Sequence, residues 1–371
     1  MKQGWEYEKI GNICNITTGK LDANAANEDG LYPFFTCSRI PLSINTYAYD
    51  CECILIAGNG DLNVKYYNGK FNAYQRTYIL QLKNDVNGVE MRYIFAFFNL
   101  YIEELRRKSI GGIIKYIKLG DLTNALLPLP DITTQLSIVS ELDKINELIR
   151  LKKEQLKDYD NLAQSIFYEM FGDPVENDKG WEVKKLGEVS EFKNGLNFNK
   201  IEDGHLIKFL GVSDFQNKRN ISSDTLGHIS LLEEVSEDYF LKTDDIVFVR
   251  SNGNKELIGR CVKLTITEPT TYSGFCIRCR ITDEMIDKEF VACLMKIPTI
   301  KQLMTNSGRG CNISNLNQKV LGSIPIICPK IELQHLFAQR IEQIERQKSA
   351  VQKAITDLET LLASRMQHWF E

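Results

Sequence analysis

Apolar residues return at alternating steps of four and three along two stretches of this chain. From Ile138 they fall at Leu142, Ile145, Ile149, Leu156, Tyr159, Ala163, Ile166 and Met170, with Lys152 the one polar position in the series. From Phe337 they fall at Ile341, Ile344, Val351, Ile355, Leu358, Leu362 and Trp369, interrupted by Lys348 and Arg365. A repeat of about 3.5 residues held beyond four heptads marks a coiled-coil helix, because only that spacing keeps a narrow stripe facing a partner. An amphipathic helix packed on its own domain would show a wider stripe at a period of about 3.6 residues. Neither stretch contains Pro or Gly, while Pro130 and Pro329 stand just upstream and cannot continue a helix. At ~1.5 Å per residue, about 37 residues make a rod of roughly 55 Å. The expected partner of each helix is the other, packed antiparallel. Lys152, Lys348 and Arg365 are expected to fix the register, since a polar core position costs stability but selects one alignment.

The segments before each helix read as mixed and mainly β. An apolar run, Cys53 to Ala57, enters the turn Gly58-Asn59-Gly60-Asp61, and strands are predicted over 64–71 and 77–82. In the second half a strand is predicted over 245–250, then the turn Ser251-Asn252-Gly253-Asn254, then a strand over 257–262. Each body is expected to close with a helix, around 90–108 and 287–305.

These parallels belong to an internal repeat. Gly4-Trp5-Glu6, Lys9, Gly11 and Gly19 recur as Gly180-Trp181-Glu182, Lys185, Gly187 and Gly195, an offset of 176. Pro130 and Gln135 recur as Pro329 and Gln334, an offset of 199 that persists from there to Phe171 over Phe370. Two related bodies, each followed by a constant helix, suit a protein that touches two different things at a set separation. The expected segments are a first body over 1–130, a helix over 131–171, a polar linker over 172–180, a second body over 181–329 and a helix over 330–371.

Length and composition add limits. With 371 residues, 43% hydrophobic and 25% charged, the chain can bury two ordinary cores. No apolar run reaches the roughly 18 residues of a membrane span, and the N-terminal residues lack the apolar core of a secretory signal. Ten cysteines without a disulfide framework suit a reducing compartment, so a cytoplasmic location is expected. The net charge is −4. Residues 1–130 hold 14 Lys and Arg against 13 Asp and Glu, and residues 175–329 hold 20 against 21. Near-neutral bodies predict modest non-specific attraction to nucleic acid, because neutralised phosphates drive that term.

No cofactor chemistry is legible. A Walker loop, a dinucleotide fingerprint and the Asn/Asp-Pro-Pro-Tyr/Phe tetrapeptide of amino-methyltransferases are all missing from the sequence. The four histidines, at 205, 228, 335 and 368, are isolated. Cys276 and Cys279 lie in a strand-like run, where residues three apart face opposite sides and cannot share one zinc ion. Buried reduced thiols are expected, with no metal site and no catalytic residue.

Met170-Phe171-Gly172-Asp173-Pro174, followed by Gly180-Trp181-Glu182-Val183-Lys184-Lys185-Leu186-Gly187, resembles the central junction of type I restriction–modification specificity subunits. Leu127-Pro128-Leu129-Pro130 with Gln135, and Pro325 with Pro329 and Gln334, resemble that family's conserved segments. So do Gly58-Asn59-Gly60 with Gly69-Lys70-Phe71, and Arg250-Ser251-Asn252-Gly253 with Gly259-Arg260. The resemblance implies an α+β chain in which two target-recognition domains are separated by an antiparallel two-helix coiled coil, with a pseudo-two-fold internal repeat. It further implies that each domain reads half of a bipartite asymmetric site in double-stranded DNA. Two modification subunits that bind S-adenosylmethionine are implied as partners, and restriction subunits using ATP and Mg can join them.

Base edges are read by Arg, Lys, Asn and Gln on loops, while phosphate contacts set register. Candidates in the first body are Lys20, Ser38, Arg39, Asn59, Lys65, Gln75 and Arg76. In the second they are Asn199, Lys200, Lys218, Arg219, Arg250, Asn252, Asn254, Lys255 and Arg309. Each Asn-Gly turn reads first as a plain hairpin whose Asn tolerates positive φ and only second as a base reader, whereas Arg76 and Arg250 can equally form local ion pairs. Two other readings stay open: a coiled-coil adaptor that never touches DNA, and a fragment of a fused restriction–methylation enzyme.

Overall fold

The computed structural model describes residues 4–197, 204–215, 218–232, 234–306 and 315–371. The chain divides into two compact units, one of residues 1–155 and 351–371 and the other of residues 156–350. Each long helix therefore contributes to both.

The first unit runs β1 (Glu6–Lys9), α1 (Ile10–Ile13), β2 (Cys14–Thr18), β3 (Tyr32–Phe35), β4 (Leu42–Ile44), β5 (Tyr49–Ala57), β6 (Val64–Ala73), β7 (Thr77–Leu82), α2 (Met91–Lys108), α3 (Leu119–Thr123), β8 (Leu126–Leu129) and the start of α4 (Ile132–Phe171). Its main sheet has the order β2-β7-β5-β6-β3-β4, and β1 pairs with β8 apart from it. Strand alternation explains why both faces are buried. Ile54, Ile56 and Leu80 pack with Tyr93, Ile94, Phe97, Phe98 and Leu105 of α2, whereas Cys53, Leu55, Phe71, Ala73 and Ile79 form a separate cluster on the other face. The α2 residues recur at three- and four-residue spacing, and each fully buried one contributes about 1.5–3 kcal/mol relative to exposure.

The second unit carries the end of α4, then β9 (Val183–Lys185), β10 (Ser190–Asn194), β11 (His205–Leu210), β12 (Asn220–Ser222), β13 (His228–Leu231), β14 (Ile246–Val249), β15 (Cys261–Thr265), β16 (Thr270–Tyr272), β17 (Cys276–Ile281), α5 (Lys288–Leu294), α6 (Pro298–Asn306), α7 (Gln318–Gly322), β18 (Pro325–Ile327) and the start of α8 (Ile331–Phe370). Its sheet order β10-β17-β14-β15 matches β2-β7-β5-β6 strand for strand, and β18 pairs with β9 as β8 pairs with β1. The added length builds β11, β13 and β16 into a second, three-stranded sheet.

Two expectations need correction here. Residues 255–257 form a 3-10 turn and the strand begins only at Cys261. The helix expected over 287–305 is two helices, α5 and α6. Pro298 has no N–H to bond the carbonyl four residues back, so the helix must break and restart there.

The repeated glutamines have identical work. Gln135 is fully buried; its amide nitrogen donates to the Gly88 and Pro130 carbonyls, and its oxygen accepts from Glu90 N–H at 3.0 Å. Gln334, equally buried, donates to the Met285 and Pro329 carbonyls and accepts from Asp287 N–H at 2.8 Å. Each clamps the start of a long helix to the loop before α2 or α5.

In the first unit Arg365 pairs with Glu141, which also accepts from Trp369 Nε1 at 3.0 Å. Lys153 reaches Glu359 at 2.8 Å. Contacts between α4 and α8 within this unit thus run in opposite chain directions. In the second unit Lys348 pairs with Asp160 at 2.6 Å. Lys152 instead donates to Gln155 of its own helix at 3.1 Å. Leu142, Ile145, Ile149, Ile341, Ile344, Val351 and Ile355 are buried, and Leu156, Tyr159, Ile166, Leu358 and Leu362 are half-buried. Near the end of α4 the expected stripe slips by one residue. Phe167 and Phe171, rather than Ile166 and Met170, are fully buried, against Phe290 and Phe337. A helix packed on a globular core follows the 3.6-residue period and drifts from a 3.5-residue stripe.

Helix α4 ends at Gly172, whose φ of +73 suits glycine. The following turns are ordered: Trp181 Nε1 donates to the Phe171 carbonyl at 2.8 Å, and Asn177 bonds the Trp181 backbone through both its amide atoms.

Candidate nucleic-acid interface

Backbone hydrogen bonds draw four separate loops of the first unit together at one end of its sheet. Gly19 N–H donates to the Thr77 carbonyl at 3.1 Å, and Gln75 N–H donates to that of Leu21 at 2.9 Å. Gly58 N–H donates to the Arg76 carbonyl at 2.8 Å. The loop after α2 joins them: Gly60 N–H donates to Lys115, and Ile117 N–H to Gly58, both at 3.0 Å. Gly19 is required by this crowding, since a Cβ there would stand 2.2 Å from the Ala73 carbonyl oxygen.

The second unit repeats the arrangement. Gly195 N–H donates to Cys276 at 3.1 Å, Arg250 N–H to Phe275 at 2.8 Å, and Leu316 N–H to Arg250 at 2.8 Å. A Cβ on Gly195 would likewise stand 2.2 Å from a carbonyl oxygen, that of Ser273. The glycines conserved between the two halves of the chain mark the same close approach of backbones, while the side chains around them differ.

Every first-body candidate falls in or beside this cluster. Lys20, Ser38, Gln75 and Arg76 are exposed. Arg39 is exposed too but is bound to Asp61 at 2.7 Å, and that hydrogen bond holds the Asp61 carboxyl below its ordinary value. Lys65 is half-buried beside Asn63, and burial lowers its ammonium from the ordinary lysine value. Asn59 is half-exposed and its backbone bridges to Tyr116.

The second body is less uniform. Arg250, Asn252 and Asn254 occupy the equivalent turn, and Asn252 Oδ1 accepts from Asn254 N–H while Asn254 Oδ1 accepts from Glu256 N–H. These amides keep their NH2 groups for donation. Lys218 is exposed. Arg219 departs from the expectation of an exposed loop position: only 11% exposed, its side chain lies between Glu289 at 3.6 Å and Glu345 at 3.3 Å. Two carboxylates on α5 and α8 draw the guanidinium inward, which sequence spacing cannot reveal. Lys255 sits in the 3-10 turn. Asn199, Lys200 and Arg309 lie outside the described residues. The positive-φ explanation for the Asn-Gly turns fails, because among the described residues only Asn177 and Asp244 adopt positive φ without being glycine.

Sequence reasoning missed the loop after α2. Ile113 is fully exposed and Ile114 is 62% exposed, flanked by Lys115 and Lys118 and turned by Gly111 at φ +121. A Gly-Gly pair followed by exposed isoleucines among lysines was the available signal. Cys276 and Cys279 face different clusters, as strand alternation demands, and burial pushes each thiol up to about 12. No group of three or more His, Cys, Asp or Glu that could hold a metal occurs among the described residues, and no helix there is long and apolar enough to cross a membrane.

Residues 2–158 and 178–360 match the family described as Type I restriction modification DNA specificity domain. The type I restriction enzyme EcoDI specificity subunit of Escherichia coli is 26% identical over 386 residues, covering 95% of this chain and 84% of that protein. The MjaVIII specificity subunit of Methanocaldococcus jannaschii is 22% identical over 398 residues, covering 97% and 92%. Among solved structures, the type I restriction–modification S subunit from M. genitalium aligns at a TM-score of 0.56 and 16% identity, over 100% of this chain and 98% of that one. A chain from a study of assembly and conformational transition in the type I R-M system aligns at 0.59 and 16%, with the same coverage. At such identity the two structures speak for the fold alone.

Proposed function

The chain belongs to the type I restriction modification DNA specificity family, a DNA sequence-specificity subunit, and on that premise we propose how its parts divide the work. Each of the two loop clusters reads one half of a bipartite, asymmetric double-stranded site. The long helices pair antiparallel as a coiled coil that sets the spacing between half-sites and docks two modification subunits. Methyl transfer from S-adenosylmethionine belongs to those subunits, and ATP with Mg to restriction subunits where these join. This chain supplies the address and no catalysis.

One observation carries the reading: the same hydrogen-bonded loop cluster recurs on matching strands, built on Gly19 and Gly195, with different side chains in each copy. A shared scaffold with divergent loop chemistry suits two readers of different sequence, because base edges are discriminated by the donors and acceptors a loop presents. The test is to co-express the chain with its modification subunits and map methylated adenines across a genome. A two-part asymmetric motif is expected, and substitutions at Asn59, Gln75 or Arg76 should relax only one part. Relaxation of both parts together, or a palindromic motif, would sink the division of labour.

A further inference from the structure

The second unit holds a cavity of about 480 Å³, whose lining includes the candidates Lys218 and Arg219. Among the described residues six cationic side chains line it, Lys218, Arg219, Arg260, Lys296, Lys301 and Lys348, against the one carboxylate of Asp160. Part of that charge is neutralised locally. Arg219 is shared between Glu289 and Glu345, and Lys348 between Asp160 at 2.6 Å and Glu345 at 3.5 Å.

Lys296 is different. It is half-buried, and among the described residues no carboxylate oxygen forms an ion pair with it. Burial lowers its ammonium from the ordinary lysine value and the charge of Arg219 acts the same way, while Cys261, Cys293 and the more distant Glu289 act against them. Enclosed cations cost stability unless an anion with several acceptor oxygens completes them. Beside them, Phe167, Phe215 and Phe337 supply apolar wall. The volume suits an organic ligand and exceeds what a bare inorganic ion requires. The feature belongs to one copy of the repeat. The offset of 197 that relates Glu90 to Asp287 at the glutamine clamps puts Asn99, a neutral residue, in the place of Lys296.

We propose that this cavity binds a small phosphate ester carrying a planar or apolar group, with its phosphate oxygens on Lys296 Nζ and its organic part along the phenylalanines. The assignment is independent of which DNA bases the loops read.

The test uses the full chain with inorganic phosphate, adenosine, AMP and a random-sequence DNA duplex as separate probes. It reads thermal shift and the rate of amine acetylation at Lys296 by peptide mass spectrometry. AMP should raise the melting temperature and slow acetylation at Lys296 at least about five-fold; phosphate should do so more weakly and adenosine not at all. Lys296→Met should weaken AMP binding at least about ten-fold, and Lys218→Ala, at an exposed position of the lining, should weaken it less. Equal protection by adenosine and AMP would overturn the phosphate assignment. Protection by the duplex alone would overturn the small-molecule assignment and give the site to the DNA backbone. Absence of any effect of AMP at millimolar concentration would remove the site.

Discussion

Gln334→Leu isolates the glutamine clamp. The substitution keeps roughly the same volume, so it opens no sizeable cavity, and it removes three hydrogen bonds at once. The Pro329 carbonyl belongs to a buried residue and loses its partner outright, a cost of about 1–3 kcal/mol. Met285 is 60% exposed and Asp287 half-buried, so water can re-satisfy those groups and each lost bond costs nearer 0.5–1 kcal/mol. The total is about 3 kcal/mol. For a domain of roughly 150–250 residues that is a fall in melting temperature of roughly 6–12 °C. Thermal and urea unfolding read the global loss, and amide exchange across residues 287–294 should show early opening of α5. Gln334→Glu separates geometry from packing. Its carboxylate can still accept from Asp287 but presents lone pairs to two carbonyls, so this variant should be worst near neutral pH and recover as acid supplies a proton to donate. If Leu costs less than about 1 kcal/mol, or exchange at α5 is unchanged, the clamp is not what fixes the start of α8.

Four further outcomes follow from the geometry. Arg365 first, and Trp369 after it, hold the Glu141 carboxyl below its ordinary value of 4.5; a depressed folded value gives stability that is present above 4.5 and lost as pH falls, so Glu141→Gln should flatten the acid limb of a urea-midpoint profile, and an unchanged limb refutes it. Gly195→Ala places a Cβ 2.2 Å from the Ser273 oxygen and should cost about 2–3 kcal/mol in denaturant titration, with Gly19→Ala behaving alike; a neutral result at either would mean the loops part freely. Arg76→Ala, measured by DNA binding of the assembled complex, should cost about 1–3 kcal/mol at one base position if it reads a base, or lower the salt slope by about 1 if it touches phosphate; no change in either removes it from the interface. Cys276 and Cys279, with thiols pushed up to about 12 by burial, should resist thiol labelling at pH 8 in the native state while half-exposed Cys37 reacts; equal rates would contradict the packing.

Much of the scaffold was legible because its signals are local. The heptad stripes located α4 and α8, the apolar run at 53–57 located β5, and the repeated Gly, Pro and Gln positions aligned the two copies. What escaped depends on contacts distant in sequence. Arg219 looks like a loop cation until α5 and α8 bring Glu289 and Glu345 to it. Phe167 and Phe171 were one step off a strict heptad because the core they enter is a globular one. The break at Pro298 was readable in principle; the apolar spacing on both sides of it, read alone, suggests one continuous helix.

The two proposed reading ends hold part of their charge in local pairs. Arg39 is held by Asp61, which also draws Arg106 to 3.7 Å, and the Lys65 ammonium is lowered by burial. On the proposed reading, cations committed in this way release fewer counterions on meeting DNA than the exposed Lys20 and Arg76. Lys20, Ser38, Gln75 and Arg76 remain exposed and Asn59 partly so; on the proposed reading these supply the directional hydrogen bonds whose energy depends on which base is presented. The second copy follows the same economy, with Arg219 drawn inward and Asn252 and Asn254 tied into their own turn through their oxygens. On the proposed reading, the side chains of the loops can diverge base by base while the glycine-dependent backbone contacts beneath them stay the same.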